Sequence, residues 1–200
     1  MTSTASKAPR IIARSAQAAI AAAAVADAFR AAAVRDHHLH PTDASLHRSG
    51  FTSMLFVYVM TLAIVLFLLW LTRSRRTAQE LSPGASFPSQ GWTIGAWFIP
   101  VVNFVVPRRF VLDIGRASSA SWRQKRDTTL VNLWWAAWIT HAVVLVVGAR
   151  VAPGSAAFLV VAVALMIAAA VLLGLVIERI TALQSAALGI TVPVAPLARG

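Results

Sequence analysis

The chain has 200 residues, 58% of them hydrophobic and only 12% charged, and it contains no cysteine. Without cysteine there are no disulfides, thiolate metal sites or cysteine nucleophiles, and the length leaves no room for a catalytic domain beside a bundle of spans. A net charge of +11 would suggest nucleic acid in a soluble protein. Here the charges flank apolar runs, where they set orientation and meet anionic lipid headgroups, so no nucleic-acid partner is expected.

In chain order, residues 11–34 read as a weak first span, mostly alanine and interrupted by Arg14, Gln17, Asp27 and Arg30. A signal peptide is the rival reading, with Lys7, Arg10 and Arg14 as its basic region and Ala24-Val25-Ala26 as a cleavage-like tripeptide. So leucine-poor a stretch would be a feeble signal. We read a retained helix whose small residues pack against neighbours. Beyond it, His37, His38 and His40 lie beside Asp36, with His47 further on. Imidazoles bind zinc or copper well, but no fixed spacing supports a site, and no metal or other cofactor is predicted.

Residues 51–72 and 156–177 run 22 residues each without a charged side chain or a histidine. As helices each is about 33 Å long, enough to cross the roughly 30 Å hydrocarbon core of a bilayer. Lipid offers no partner to backbone polar groups, and a helix satisfies them internally.

Between these two lies residues 92–106, WTIGAWFIPVVNFVV, which is apolar but short and broken by Pro100 and Asn103. Basic clusters flank it on both sides, Arg73, Arg75 and Arg76 before and Arg108 and Arg109 after. We read a re-entrant or interfacial element, with Trp92 and Trp97 anchoring at the lipid interface. Residues 108–122 then predict an amphipathic cytoplasmic helix at headgroup level. Arg109, Arg116 and Arg123 recur every seven residues on one face, with Asp113 spaced for ion pairing and Phe110, Val111, Ile114 and Trp122 on an apolar side.

The remaining span, residues 130–148, carries Asn132, Thr140 and His141. Trp134, Trp135 and Trp138 near its start read as an interfacial aromatic belt. Pro153 and Gly154 make a turn so short that the last span returns antiparallel. With the N-terminus cytoplasmic and four spans, 14 of the 18 Lys and Arg residues fall on the cytoplasmic side. The expectation is an all-α integral membrane helical bundle in the plasma membrane, multi-pass, with both termini cytoplasmic. Residues 1–50 form the tail, weak first span and external loop, 51–185 the membrane domain, and 186–200 the C-terminal tail.

Residues 91–103, GWTIGAWFIPVVN, resemble the GWAIGGWFIPVVN signature of domain of unknown function 4328, a family of multi-pass membrane proteins, mostly actinobacterial. Residues 113–118, DIGRAS, are similar to its D-[IL]-W-R-A-S, and residues 134–138, WWAAW, to its WWALW. The resemblance covers roughly residues 50–185. Gly115 stands where the family usually has tryptophan, and residues 104–107 replace an LWRP-like run. It implies a membrane location and a shared scaffold, and it carries over no catalytic residue.

Asp27 and His141 are the ionisable residues to examine first, because charge inside a membrane is costly and commonly functional. Counted from the cytoplasmic ends, they lie about 20 Å and 18 Å deep. A pair at that depth would relay protons or couple an ion to transport. The simpler alternative sets Asp27 against Arg30 on its own helix and gives His141 a backbone carbonyl. No P-loop, dinucleotide glycine motif, HExxH or GxSxG elbow is present. The expected function is a non-catalytic membrane scaffold or lipid- or partner-binding protein, as a homo-oligomer or with another membrane protein. A small oligomeric transporter or channel using Asp27, His141 and Asn103 is the alternative.

Overall fold

The computed structural model describes residues 8–85, 91, 95, 99, 105–123 and 125–189, and every regular element among them is helical. Alanine, the strongest helix former, dominates α1 (Ala8–Leu39), which has Pro9 in its first turn and stops just before Pro41. Helix α2 (Asp43–Leu81) starts from a capping box. Ser45 N–H donates to Thr42 Oγ1 (3.1 Å) and Thr42 N–H to Ser45 Oγ (3.0 Å), closing a tight hairpin after α1.

Helix α3 (Val106–Ser118) and a 3-10 turn (Ala120–Arg123) lead into α4 (Lys125–Val151). Helix α5 (Ala156–Ala187) follows the turn at Pro153-Gly154, where Gly154 has φ +73°. Only glycine adopts that conformation without strain. Helix α1 packs on α2 and on α5, and α4 packs on α5. Gln17 of α1 donates to the Gly174 carbonyl of α5 (2.8 Å), while Arg35 donates to the Gly154 carbonyl (2.6 Å). These bonds fix the two helices antiparallel. The start of α1 and the end of α5 therefore share one end of the bundle, the basic end. The two tight turns share the other, the hairpin end.

Much of the surface of the long helices is apolar and uncovered by the chain itself. In the most apolar 18-residue stretch of each long helix only 22–39% of residues are buried, and Leu55, Val57, Tyr58, Val160, Val171 and Leu175 stand exposed. In water that much apolar surface would drive aggregation. Four helices are thus long and apolar enough to cross a membrane.

The protein's own core gathers toward the basic end, around Trp70, Leu71, Val111, Ile114, Trp122, Val131, Trp134 and Ile180. Two sequence expectations change here. Trp134 and Trp135 do not form a lipid-facing belt; they are buried, Trp134 against Phe67 (ring centroids 6.3 Å apart). The predicted amphipathic helix is also shorter, ending at Ser118. Its apolar residues Phe110, Val111 and Ile114 are buried, because α3 is docked across the ends of α2, α4 and α5 rather than laid on lipid. Arg123 belongs to the following turn and not to the helix of Arg109 and Arg116. The expected re-entrant element falls largely outside the described residues, and so do Trp92, Trp97 and Asn103.

Candidate functional site

Asp27 is fully buried on the inner face of α1, one turn from Ala23. Both Arg30 Nε and Nη2 donate to its Oδ1 (2.9 and 2.6 Å), an i,i+3 pair on one helix. The Arg30 guanidinium also lies 5.1 Å from the ring centroid of Phe56 on α2, which gives the cation an aromatic face inside an apolar layer. Oδ2 of Asp27 is buried with no hydrogen-bond partner among the described residues.

His141 sits on α4 with Nδ1 2.8 Å from the Ala162 carbonyl of α5. A carbonyl only accepts, so Nδ1 carries the hydrogen of this bond. Trp138 stacks beside the imidazole at 6.2 Å.

The two residues stand at the same level. Ten residues beyond Gln17 on α1, Asp27 falls opposite about residue 164 of antiparallel α5, which differs in height along the helix axis by only roughly 3 Å from Ala162, whose carbonyl holds His141. Yet no hydrogen bond or ion pair joins Asp27 to His141 among the described residues; each has its own partner. Below them a central cavity of about 80 Å³ is lined by Ile20, Ala23, Met60, Phe67, Trp138 and Met166 among other apolar residues. A space with that lining stays dry and offers no polar path.

The basic end is built differently. Long-range polar ties hold it, among them Arg179 Nε and Nη2 to the two oxygens of buried Asp127 (3.2 Å each), Arg108 to Asn132 Oδ1 (2.9 and 2.6 Å), and Gln184 Nε2 to the Ser74 carbonyl (2.8 Å) and Ser118 Oγ (3.0 Å). The first joins α4 to α5, and the other two clamp α3 to α4 and α5, so the outward residues of α3 have a fixed orientation. Arg109 is exposed there, and Arg116 is exposed beside Asp113 (3.4 Å). Arg14, exposed and 3.4 Å from Glu178, and exposed Arg73, Arg76, Lys125 and Arg126 complete a ring of positive charge. At the hairpin end, His37 bonds Ser45 Oγ (2.8 Å) and His40 lies 3.5 Å from Asp36, and no metal-ligand group of three forms among the described residues.

Sequence reading singled out Arg109, Arg116, Asp27 and His141, and it missed Phe56, the Asp127–Arg179 pair, the Arg108–Asn132 bond and Gln184. The first is a generic apolar residue until Arg30 covers it. The others pair across 24 to 110 residues, a distance at which no local pattern exists.

Residues 35–182 match the family model described as Domain of unknown function (DUF4328). That range holds His141, α3 and the Asp127–Arg179 pair, whereas Asp27 and Arg30 precede it. No curated protein and no solved structure matches the chain.

Proposed function

Since the chain belongs to the family defined as Domain of unknown function DUF4328, we propose that it is a non-catalytic, multi-pass plasma-membrane protein that engages anionic lipid through its basic end. Both termini and α3 then lie on the cytoplasmic side, where excess arginine is expected and where anionic headgroups attract it. One observation carries this reading. Helix α3 spends its apolar face on the bundle and turns Arg109 and Arg116 outward at the level where the apolar runs of α2 and α5 end.

The transport alternative would need polar groups converging on a cavity from Asp27, His141 and Asn103. The central cavity has an apolar lining, and Asp27 and His141 are each held elsewhere, which favours the binding reading. A second copy of the chain or another membrane protein remains compatible with the exposed apolar flanks.

The test is lipid dependence of stability. In nanodiscs of phosphatidylglycerol the protein is expected to melt several degrees higher than in phosphatidylcholine, and Arg109→Gln/Arg116→Gln is expected to narrow that gap. Equal melting in the two lipids would remove the proposal. Reporter fusions at residues 85, 120 and 152 check sidedness, with an external signal at 120 contradicting a cytoplasmic α3.

A further inference from the structure

Along the α1–α5 pair runs a groove of about 660 Å³, reaching from Gln17 to Ala32 on α1, or about 22 Å. Its α5 residues fall within 167–174, inside the charge-free run 156–177, so the groove lies at hydrocarbon depth. The two walls are unlike. On the α1 side they are small, with Ala21, Ala28 and Ala32, whereas α5 offers the branched side chains of Ile167 and Val171, each about half exposed.

The walls also differ in charge where the groove begins. Exposed Arg14 of α1 and exposed Glu178 of α5 lie 3.4 Å apart, and both contact the Gln17 amide (3.4 Å each). The Gln17–Gly174 hydrogen bond sets the register of the two helices. Counted from it in opposite directions, Val171 stands level with residue 20 and Ile167 with residue 24.

Such a patch matches itself. A closed pair of identical copies needs one patch that is complementary to itself under a two-fold rotation. Copies inserted with the same orientation are related by an axis along the bilayer normal. An axis through the mouth of the groove sets α1 of each copy against α5 of the other at unchanged height. Ile167 and Val171 then meet the alanine wall opposite, and Arg14 faces the partner's Glu178, so that four charges alternate in sign. The pair within each chain persists, because a guanidinium donates and a carboxylate accepts more hydrogen bonds than one contact uses. In lipid, small residues let helix backbones approach, and van der Waals packing drives their association. An acyl chain matches the apolar walls but not the opposite charges placed at one level, which favours a second copy.

We propose that this face is the interface of a parallel homodimer, in which α1 and α5 of two copies form a four-helix seam. It lies on a different face from α3 and stands independently of the anionic-lipid reading.

The chain has no cysteine, so single thiols report on the interface directly. Two differently tagged full-length chains, one with Ala21→Cys and one with Val171→Cys, are coexpressed and oxidised in the membrane. A disulfide-linked species carrying both tags is expected. Leu55→Cys, exposed on α2, is expected to give none with Val171→Cys. No 21–171 product, or as much product from the Leu55 control, overturns the interface. Energy transfer between labelled chains in liposomes of decreasing protein density then measures the affinity. Arg14→Glu, which gathers four negative charges, is expected to weaken association about tenfold, the scale of two exposed ion pairs. Arg14→Glu/Glu178→Arg is expected to restore it, and Ala21→Leu, at an exposed position, to weaken it by filling the alanine wall. A chain that is monomeric at every density leaves the groove to lipid and overturns the proposal, as does a dimer that none of these variants weakens.

Discussion

The indole of Trp122 fills the notch left by the missing side chain of Gly115, so that a methyl group placed on Gly115 would collide with the fused bond of the ring. Trp122 is fully buried there, and it ties the turn after α3 back onto the helix. Two effects oppose each other in a Gly115→Ala variant. Alanine gains up to about 1 kcal/mol of helix propensity, whereas forcing a large ring out of a packed site costs about 1–3 kcal/mol. Sterics should win. The variant is expected to melt lower in detergent, and Gly115→Ala/Trp122→Leu to regain part of the loss. A more stable single variant would contradict this packing.

The spans were legible because their information is local: long apolar runs bounded by charge and turn residues. The environment of the tryptophans was not. Trp134 and Trp135 have the same sequence signature in a lipid belt as in a core, and only the docking of α3, Trp70 and Phe67 around them decides which. Likewise Asp27–Arg30 could be read from its spacing, but the partner of His141 is a backbone carbonyl, which leaves no trace in sequence.

The Asp27–Arg30 pair gives a second prediction. Removing one member of a buried ion pair strands the other and costs about 3–5 kcal/mol, while an apolar replacement of both is close to neutral. Asp27→Leu should therefore destabilise strongly, and Asp27→Leu/Arg30→Met should recover most of the loss. Thermal melts of the four proteins in one detergent supply the cycle, and an additive double variant would show that the pair is not coupled.

His141 is expected to act apart from Asp27. His141→Phe removes one interhelical hydrogen bond, worth about 0.6 kcal/mol on average in a membrane bundle. Combined with Asp27→Leu, the losses should add to within about 0.5 kcal/mol. A larger coupling energy would mean that the two residues meet.

At the hairpin end, Gly154 combines φ +73° with a close approach of the His38 ring, where a Cβ would collide. Gly154→Ala is expected to destabilise by about 1–2 kcal/mol from backbone conformation alone, plus the clash. His38→Ala in the same chain should relieve only the clash. Full rescue by His38→Ala would contradict the backbone contribution.

The most direct measurement exploits a chain with no cysteine of its own. Ala44→Cys places a thiol at the hairpin end and Ala120→Cys one beside α3. In intact cells a membrane-impermeant maleimide is expected to label residue 44 and to reach residue 120 only after lysis. Labelling of 120 from outside, or of neither position before lysis, would contradict four spans with a cytoplasmic basic end.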